Sequence, residues 1–372
     1  MLPHPPLWLI LVAFVCALGP LVFFHELGHY LAGRLFKIPA ETFSIGFGRE
    51  LVGWTDKQGT RWKIAWLPLG GYVKFVGDMG PASEPVDIES IPVEDRDRAF
   101  QLRPVWQRFL VVLAGPAANF LLAILIFAAF FTFIGTPQNN VVSAVKAASP
   151  AAAAGIQPGD RVISIDGQPT ETFGEIANTV ALRAGQQVII EVERGGRTLD
   201  LSTHLGVTQL RDPSGSTFRA GLLGVYSSTV VQKPVSIVRA VPMAVSFTAQ
   251  MTRTIVDGLV QLIRGRVSAS QIGGPIKIAQ VAGQGAAQGP LAFVSLLALL
   301  SINLGFINLL PVPPLDGGHL FFYVIEAVRR RPVSAQALDW VFRGGLALIL
   351  ALLVFATFND LALWNQLERL IG

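Results

Sequence analysis

His25, Glu26 and His29 stand together in the stretch HELGH, residues 25–29. On a helix, side chains four residues apart project from one face. Two imidazoles so placed can hold one Zn2+ while the neighbouring glutamate reaches a water on the metal. Such a site needs a third protein ligand and keeps its fourth position open. The chain has five histidines, His4, His25, His29, His204 and His319. His4 is terminal, His204 falls in a remote segment of different character, and Leu35 stands where the longer HExxHxxGxxH pattern would put a third imidazole. That leaves NLGFINLLPVPPLDGGHLFF, residues 303–322, where Asp316 offers an oxygen and His319 is a rival nitrogen.

The elements that must position these groups are apolar. HELGH directly follows LWLILVAFVCALGPLVFF, residues 7–24. Across 372 residues, 51% are hydrophobic and only 15% charged, with a mean hydropathy of +0.51. Soluble domains carry about 25% charged residues, so the deficit points to a membrane protein. A net charge of +4 is too small to argue for nucleic acid. The one cysteine, Cys16, allows no disulfide within the chain and reads as a packing or lipid-facing residue.

A span needs about 20 mostly apolar residues. Residues 7–24 qualify, with the helix continuing through Leu35; residues 109–134, about 291–315 and about 341–358 supply three more. The first run lacks basic residues before it and a small-residue cleavage site after it, so it reads as a retained span. Pro311, Pro313 and Pro314 break the third span just before Asp316. Irregular backbone at that depth is tolerated only inside protein or beside a wet cavity. Basic residues near span ends mark the cytoplasmic side. Arg34 and Lys37, Arg103 and Arg108, and Arg329 to Arg331 put residues 36–104 and 329–331 inside and 135–290 outside. HELGH then lies toward the cytoplasmic end of its span.

Two stretches break the pattern. In the cytoplasmic loop, FSIGFGRELVGW and TRWKIAWLPLGGYVKF read as β-runs separated by turn residues. Strands beside a bilayer need backbone partners, and a sheet edge near a reactive site can receive an extended peptide. In the outside segment, VVSAV and DRVISIDG read as short strands and FGEIANTVALRAG as a helix; QVIIEVERGGRTLDLSTHL is a hairpin turning at Gly195-Gly196. Residues 136–225 thus form a small α+β domain. AAAAGIQPGDRVISIDGQP within it resembles the ligand-loop region of bacterial PDZ domains. Residues 233–268, with Arg239, Arg253, Arg264 and Arg266, have the pattern of a surface or linking helix. The Gly/Ala/Gln-rich stretch 281–290 has the composition of a linker.

HELGH in the first span, LDGG closing the third and a PDZ-like insert between them resemble the site-2 protease family of intramembrane zinc metalloproteases, in its bacterial regulator of sigma-E branch. The likeness covers nearly the whole chain through LPLGGYVKF (67–75), GPAANF (115–120), GGPIKIAQ (273–280) and SINLGFINLLPVPPLDGGHL (301–320). It implies a multi-pass helical membrane protein of four transmembrane helices, with a membrane-associated β loop and an inserted PDZ-like domain. The implied segments are 1–36, 37–104, 105–135, 136–225, 226–290, 291–320 and 321–372. It further implies that His25, His29 and Asp316 bind zinc, that Glu26 is the catalytic base, and that Asn308 bonds substrate backbone. Asn119 in GPAANF is expected to pack rather than react. The implied partners are the lipid bilayer of the bacterial inner membrane and transmembrane proteins already trimmed by another protease. Members with two PDZ domains exist; only one fits here.

Two other readings compete. A non-catalytic PDZ membrane adaptor accounts for the insert but leaves Glu26 and the ligand spacing unexplained. A zinc transporter needs a polar path through the membrane, and the second and fourth spans offer few ionisable residues.

Overall fold

The computed structural model describes residues 5–77, 96–137, 140–170, 172–211, 217–227, 232–264 and 273–361. His4, Arg266, residues 78–95 of the loop and residues 362–372 at the C-terminus lie outside them. The chain divides into two compact units, one of residues 1–128 with 241–372 and the other of residues 129–240.

Among the described residues, four helices are long and apolar enough to cross a membrane. Helix α1 (Leu7–Leu35) and helix α2 (Val105–Phe133) have 29 residues each, about 43 Å of helix at 1.5 Å per residue. Between them, strand β1 (Ala40–Thr55) pairs antiparallel with β2 (Arg61–Phe75). Both strands bend, so residues 42–45 register against 61–64 as well as 71–74. Gly46 sits at the bend with φ 90°, and a Cβ there would lie 2.7 Å from the Leu67 carbonyl oxygen. Phe43, wholly buried, stacks on Trp62 at 4.2 Å and packs on Phe23 and Tyr30 of α1, which fastens this small sheet to the first span.

The smaller unit has the α+β make-up expected of the insert. It comprises β3 (Thr136–Pro137), β4 (Val142–Val145), the one-turn helix α3 (Pro150–Ala153), β5 (Arg161–Ile165), β6 (Gln168–Pro169), α4 (Phe173–Ala181), β7 (Gln187–Arg194), β8 (Arg197–His204), β9 (Gly206–Arg211), β10 (Thr217–Leu222), β11 (Val225–Ser227) and β12 (Gln232–Lys233). Four strands form a sheet in the order β6-β5-β7-β8. Alternate residues Val188, Ile190 and Val192 point into a core shared with Val162, Ile165 and Ile176, all at most 1% exposed. Gly195 and Gly196 turn the β7–β8 hairpin with φ 57° and 77°, angles a side chain would oppose. The β9–β10 hairpin was not foreseen in the sequence.

Helix α5 (Ile237–Ile263) leads to α6 (Pro275–Gln288), then α7 (Pro290–Asn308), α8 (Asp316–Arg329) and α9 (Ala335–Asp360). A linker is expected at 281–290, but residues 281–288 belong to α6. Its small residues serve close packing, with Ala282 buried against Ala13 and Ala17 of α1. A Cβ at Gly283 would lie 2.7 Å from Ile10. The third span also ends sooner than expected, at Asn308, because the proline-rich segment cannot continue it. Asp316 opens a separate helix.

Candidate metal centre

The site lies in the helical unit, and one face of α2 organises it. Arg108, Val111, Gly115 and Asn119 follow one another at three- and four-residue steps and are all buried. Such steps place them along one stripe of the helix. Small residues let α1 approach that stripe, as is usual for helices in lipid. A Cβ on Gly28 would lie 2.3 Å from the Ala114 carbonyl oxygen, and one on Gly115 would lie 2.2 Å from His29 Nε2. The close approach puts His29 Nδ1 2.9 Å from the Val111 carbonyl oxygen and His25 Nδ1 3.1 Å from the Asn119 amide nitrogen.

Asp316 comes from the other end of the sequence. It is the first residue of α8, where the helix dipole favours an anion. Gly317 and Gly318 follow because the preceding loop folds back on them. A Cβ at Gly317 would lie 2.2 Å from the Leu310 carbonyl oxygen, and one at Gly318 2.8 Å from Pro313 N. Helix α8 is also held to α2 further along. Arg108 Nη2 donates to Glu326 Oε1 at 2.7 Å, Arg108 Nε donates to the Arg103 carbonyl at 3.0 Å, and the guanidinium lies 4.9 Å from the Tyr323 ring.

The result is a triangle of donor atoms. His25 Nε2 lies 3.1 Å and His29 Nε2 3.5 Å from Asp316 Oδ2, and the two nitrogens are 3.3 Å apart. Asp316 Oδ2 is buried and accepts no hydrogen bond. Ligand atoms about 2.1 Å from a tetrahedral zinc stand roughly 3.4 Å from one another. The donor set, its spacing and the unpartnered oxygen therefore fit zinc. Among the described residues, these three form the group of histidine and carboxylate donors close enough to share an ion. His319 is turned elsewhere, its ring packed on Phe342 at 4.5 Å.

Glu26 is 7% exposed and stands beside β2. A Cβ at Gly71 would be 3.0 Å from Glu26 Cγ, so this strand segment runs directly past the carboxylate. Asn308 is the last residue of α7 and is half-buried. Asn119, expected only to pack, reaches His25. Nothing in GPAANF reveals that contact, because it depends on how closely two helices approach.

Comparison with known proteins agrees with this geometry. Residues 13–352 match peptidase family M50. A Mesorhizobium japonicum protein named as a zinc metalloprotease is 44% identical over 361 residues, 94% of this chain and 98% of that one. One from Agrobacterium fabrum, similarly named, is 43% identical over 97% and 96% of the two chains. The metalloprotease MmpA of Caulobacter vibrioides is 39% identical over 98% of each. The PDZ domain of the SdrC-like protein from Listeria monocytogenes matches 24% of this chain and 87% of its own, at 23% identity and a TM-score of 0.19.

This chain belongs to peptidase family M50, the site-2 protease family. It is a multi-pass membrane protein and a zinc metalloendopeptidase.

Proposed function

We propose that the protease cuts peptide bonds inside the transmembrane segments of single-span membrane proteins, of the anti-sigma-factor type and signal-peptide remnants, in regulated intramembrane proteolysis. The observation that carries this reading is where the site lies. Glu26 and two of the three donor atoms stand on a 29-residue apolar helix, so a substrate reaching them comes through the bilayer. We place the protein in the bacterial inner membrane with its N-terminus and α+β unit periplasmic and the metal centre toward the cytoplasm. The distribution of Arg and Lys supports that orientation.

His25, His29 and Asp316 hold the zinc. When bound, the metal supplies the Lewis acidity that makes a water nucleophilic at neutral pH. Glu26 takes the proton of the attacking water and passes it to the leaving amide nitrogen. A helical substrate hides its carbonyl in an i→i−4 hydrogen bond and must be unwound locally first. The 71–75 segment of β2, beside Glu26, and the Asn308 amide supply replacement hydrogen bonds to the extended chain. The α+β unit, PDZ-like in sequence, acts as a filter that admits substrates already trimmed by another protease.

Cleavage of reconstituted single-span candidates tests the reading. The native chain is expected to cut within the span, and Glu26→Gln to lose at least about a hundredfold in rate with its zinc retained. Equal cleavage by Glu26→Gln would remove the proposal. Deletion of residues 136–225 is expected to let untrimmed substrates be cut, and unchanged discrimination would remove the filter.

A further inference from the structure

Asn119 has no assigned part in the site, yet it is wholly buried and touches a proposed zinc ligand. Its amide Nδ2 stands 3.1 Å from His25 Nδ1, while its Oδ1 is buried without a hydrogen-bond partner. The two ends of an asparagine amide have the same shape, so which one faces a neighbour is decided by chemistry. Were Nδ2 to donate to Nδ1, a neutral His25 would carry its proton on Nε2. That atom points at Asp316 Oδ2 and His29 Nε2, and a protonated nitrogen has no lone pair for a metal. With the amide turned over, Oδ1 accepts from Nδ1–H and the Nε2 lone pair is bare. The hydrogen bond to the ring is one in either case, so the metal makes the choice.

His29 shows the same device in a form that cannot turn over. Its Nδ1 faces the Val111 carbonyl oxygen, which can only accept, so a neutral ring carries its proton there and presents a bare Nε2. Both partners of the two imidazoles come from α2, eight residues apart. Ser301 Oγ of α7 donates to the Asn119 carbonyl oxygen at 2.8 Å and anchors that part of α2. Outer partners of this kind fix the tautomer and ring angle of metal-binding histidines.

We propose that Asn119 is a positioning residue for zinc, holding His25 through Oδ1···H–Nδ1 so that its Nε2 faces the metal. The proposal rests on His25 being a zinc ligand. It is tested on the full-length protein in detergent by measuring zinc affinity in competition with a chelator. Asn119→Leu, which keeps the bulk and removes the acceptor, is expected to lose about 10–100-fold in affinity. Asn119→Asp, which keeps an acceptor, is expected to stay within about threefold of the native value. A residue that merely packs would show no such rescue. Native affinity in Asn119→Leu, or equal losses in both variants, overturns the proposal while leaving the zinc site intact. Zinc binding that survives His25→Ala overturns the ligand assignment and this proposal together. A further measurement needs no variant: 15N spectra of the zinc-loaded native chain are expected to show His25 bound to the metal through Nε2 and protonated at Nδ1. Protonation at Nε2 overturns the proposal.

Discussion

Asp160 of the α+β unit and Asp316 of the helical unit are both drawn in from solvent, and their oxygens are used differently. Asp160 is 1% exposed, and both oxygens are occupied. Arg194 donates to Oδ1 through Nε at 2.6 Å and to Oδ2 through Nη2 at 2.7 Å, and the Gln157 backbone amide donates to Oδ2 at 2.8 Å. Asp316 has an Oδ2 that accepts no hydrogen bond although two imidazole nitrogens lie within 3.5 Å. A buried acceptor left open is costly, commonly by about 1–3 kcal/mol. Within one chain, the satisfied carboxylate marks a fold held together, and the unsatisfied one fits the zinc site proposed above.

The comparison breaks most sharply under the same substitution at both positions. Asp316→Asn is expected to lower zinc affinity by at least about tenfold and to remove measurable proteolysis, because it takes away the only anionic donor of the triad. Asp160→Asn is expected to leave both unchanged. Metal content and cleavage measured on the two variants decide the matter. Loss of zinc in Asp160→Asn would show that the two carboxylates do not have separate roles.

A second way to sharpen the contrast is steric. Gly115 leaves room for the His29 ring, and a Cβ there would lie 2.2 Å from Nε2. Since His29 Nδ1 is held by Val111, the ring cannot move aside without losing that bond. Gly115→Ala is expected to reduce zinc affinity by about tenfold or more, an effect on the scale of losing an outer partner of a ligand. Gly344 in α9 has nothing within 4 Å of a Cβ, so Gly344→Ala is the matched control, with zinc affinity unchanged. Equal affinity in the two variants would mean that α1 and α2 are less closely packed than described.

The same two regions differ in how far they can be read from sequence. His25 and His29 are legible because their pairing is local, four residues on one helix. The β7–β8 hairpin is legible for a like reason: Gly195-Gly196 is a local turn signal between alternating strands. Asp316 was reachable only as a polar residue beyond a proline-broken span, with His319 as a rival that the packing on Phe342 removes. Contacts set by distance in space were not legible. The Asn119–His25 contact spans 94 residues and exists because Gly28 and Gly115 let two helices close on each other. The 281–288 part of helix α6 has the composition of a linker because its alanines and glycines carry no apolar periodicity of their own. Their meaning comes from Ala13 and Ala17 across the interface.

A smaller effect concerns stability alone. Asp160→Asn removes the charge from a doubly bonded pair whose Arg194 side is partly exposed, and the α+β unit is expected to lose about 1.5 kcal/mol, the low end for a hydrogen bond to a charged group. Hydrogen exchange in peptides covering residues 187–204 of the full-length chain reads it, since β7 and Arg194 lie there. Protection there should fall, while protection in peptides from α1 and α2 should not.

The pH dependence of that loss is the finest test. Arg194's hydrogen bonds hold the Asp160 carboxyl below the usual carboxylate range; burial pushes the other way, and the Gln157 amide adds to the lowering. A group with a depressed folded pKa binds its proton more readily in the unfolded chain, whose ordinary value is 3.8. Its contribution to stability is therefore complete above that value and is lost as the pH falls below it toward the folded pKa. The difference in exchange protection between the native chain and Asp160→Asn, corrected for intrinsic rates, should be constant from neutral pH down to about 5 and shrink below about 4. A difference that grows on acidification would mean that the carboxylate is not held by Arg194, and the contrast with Asp316 would lose its satisfied half.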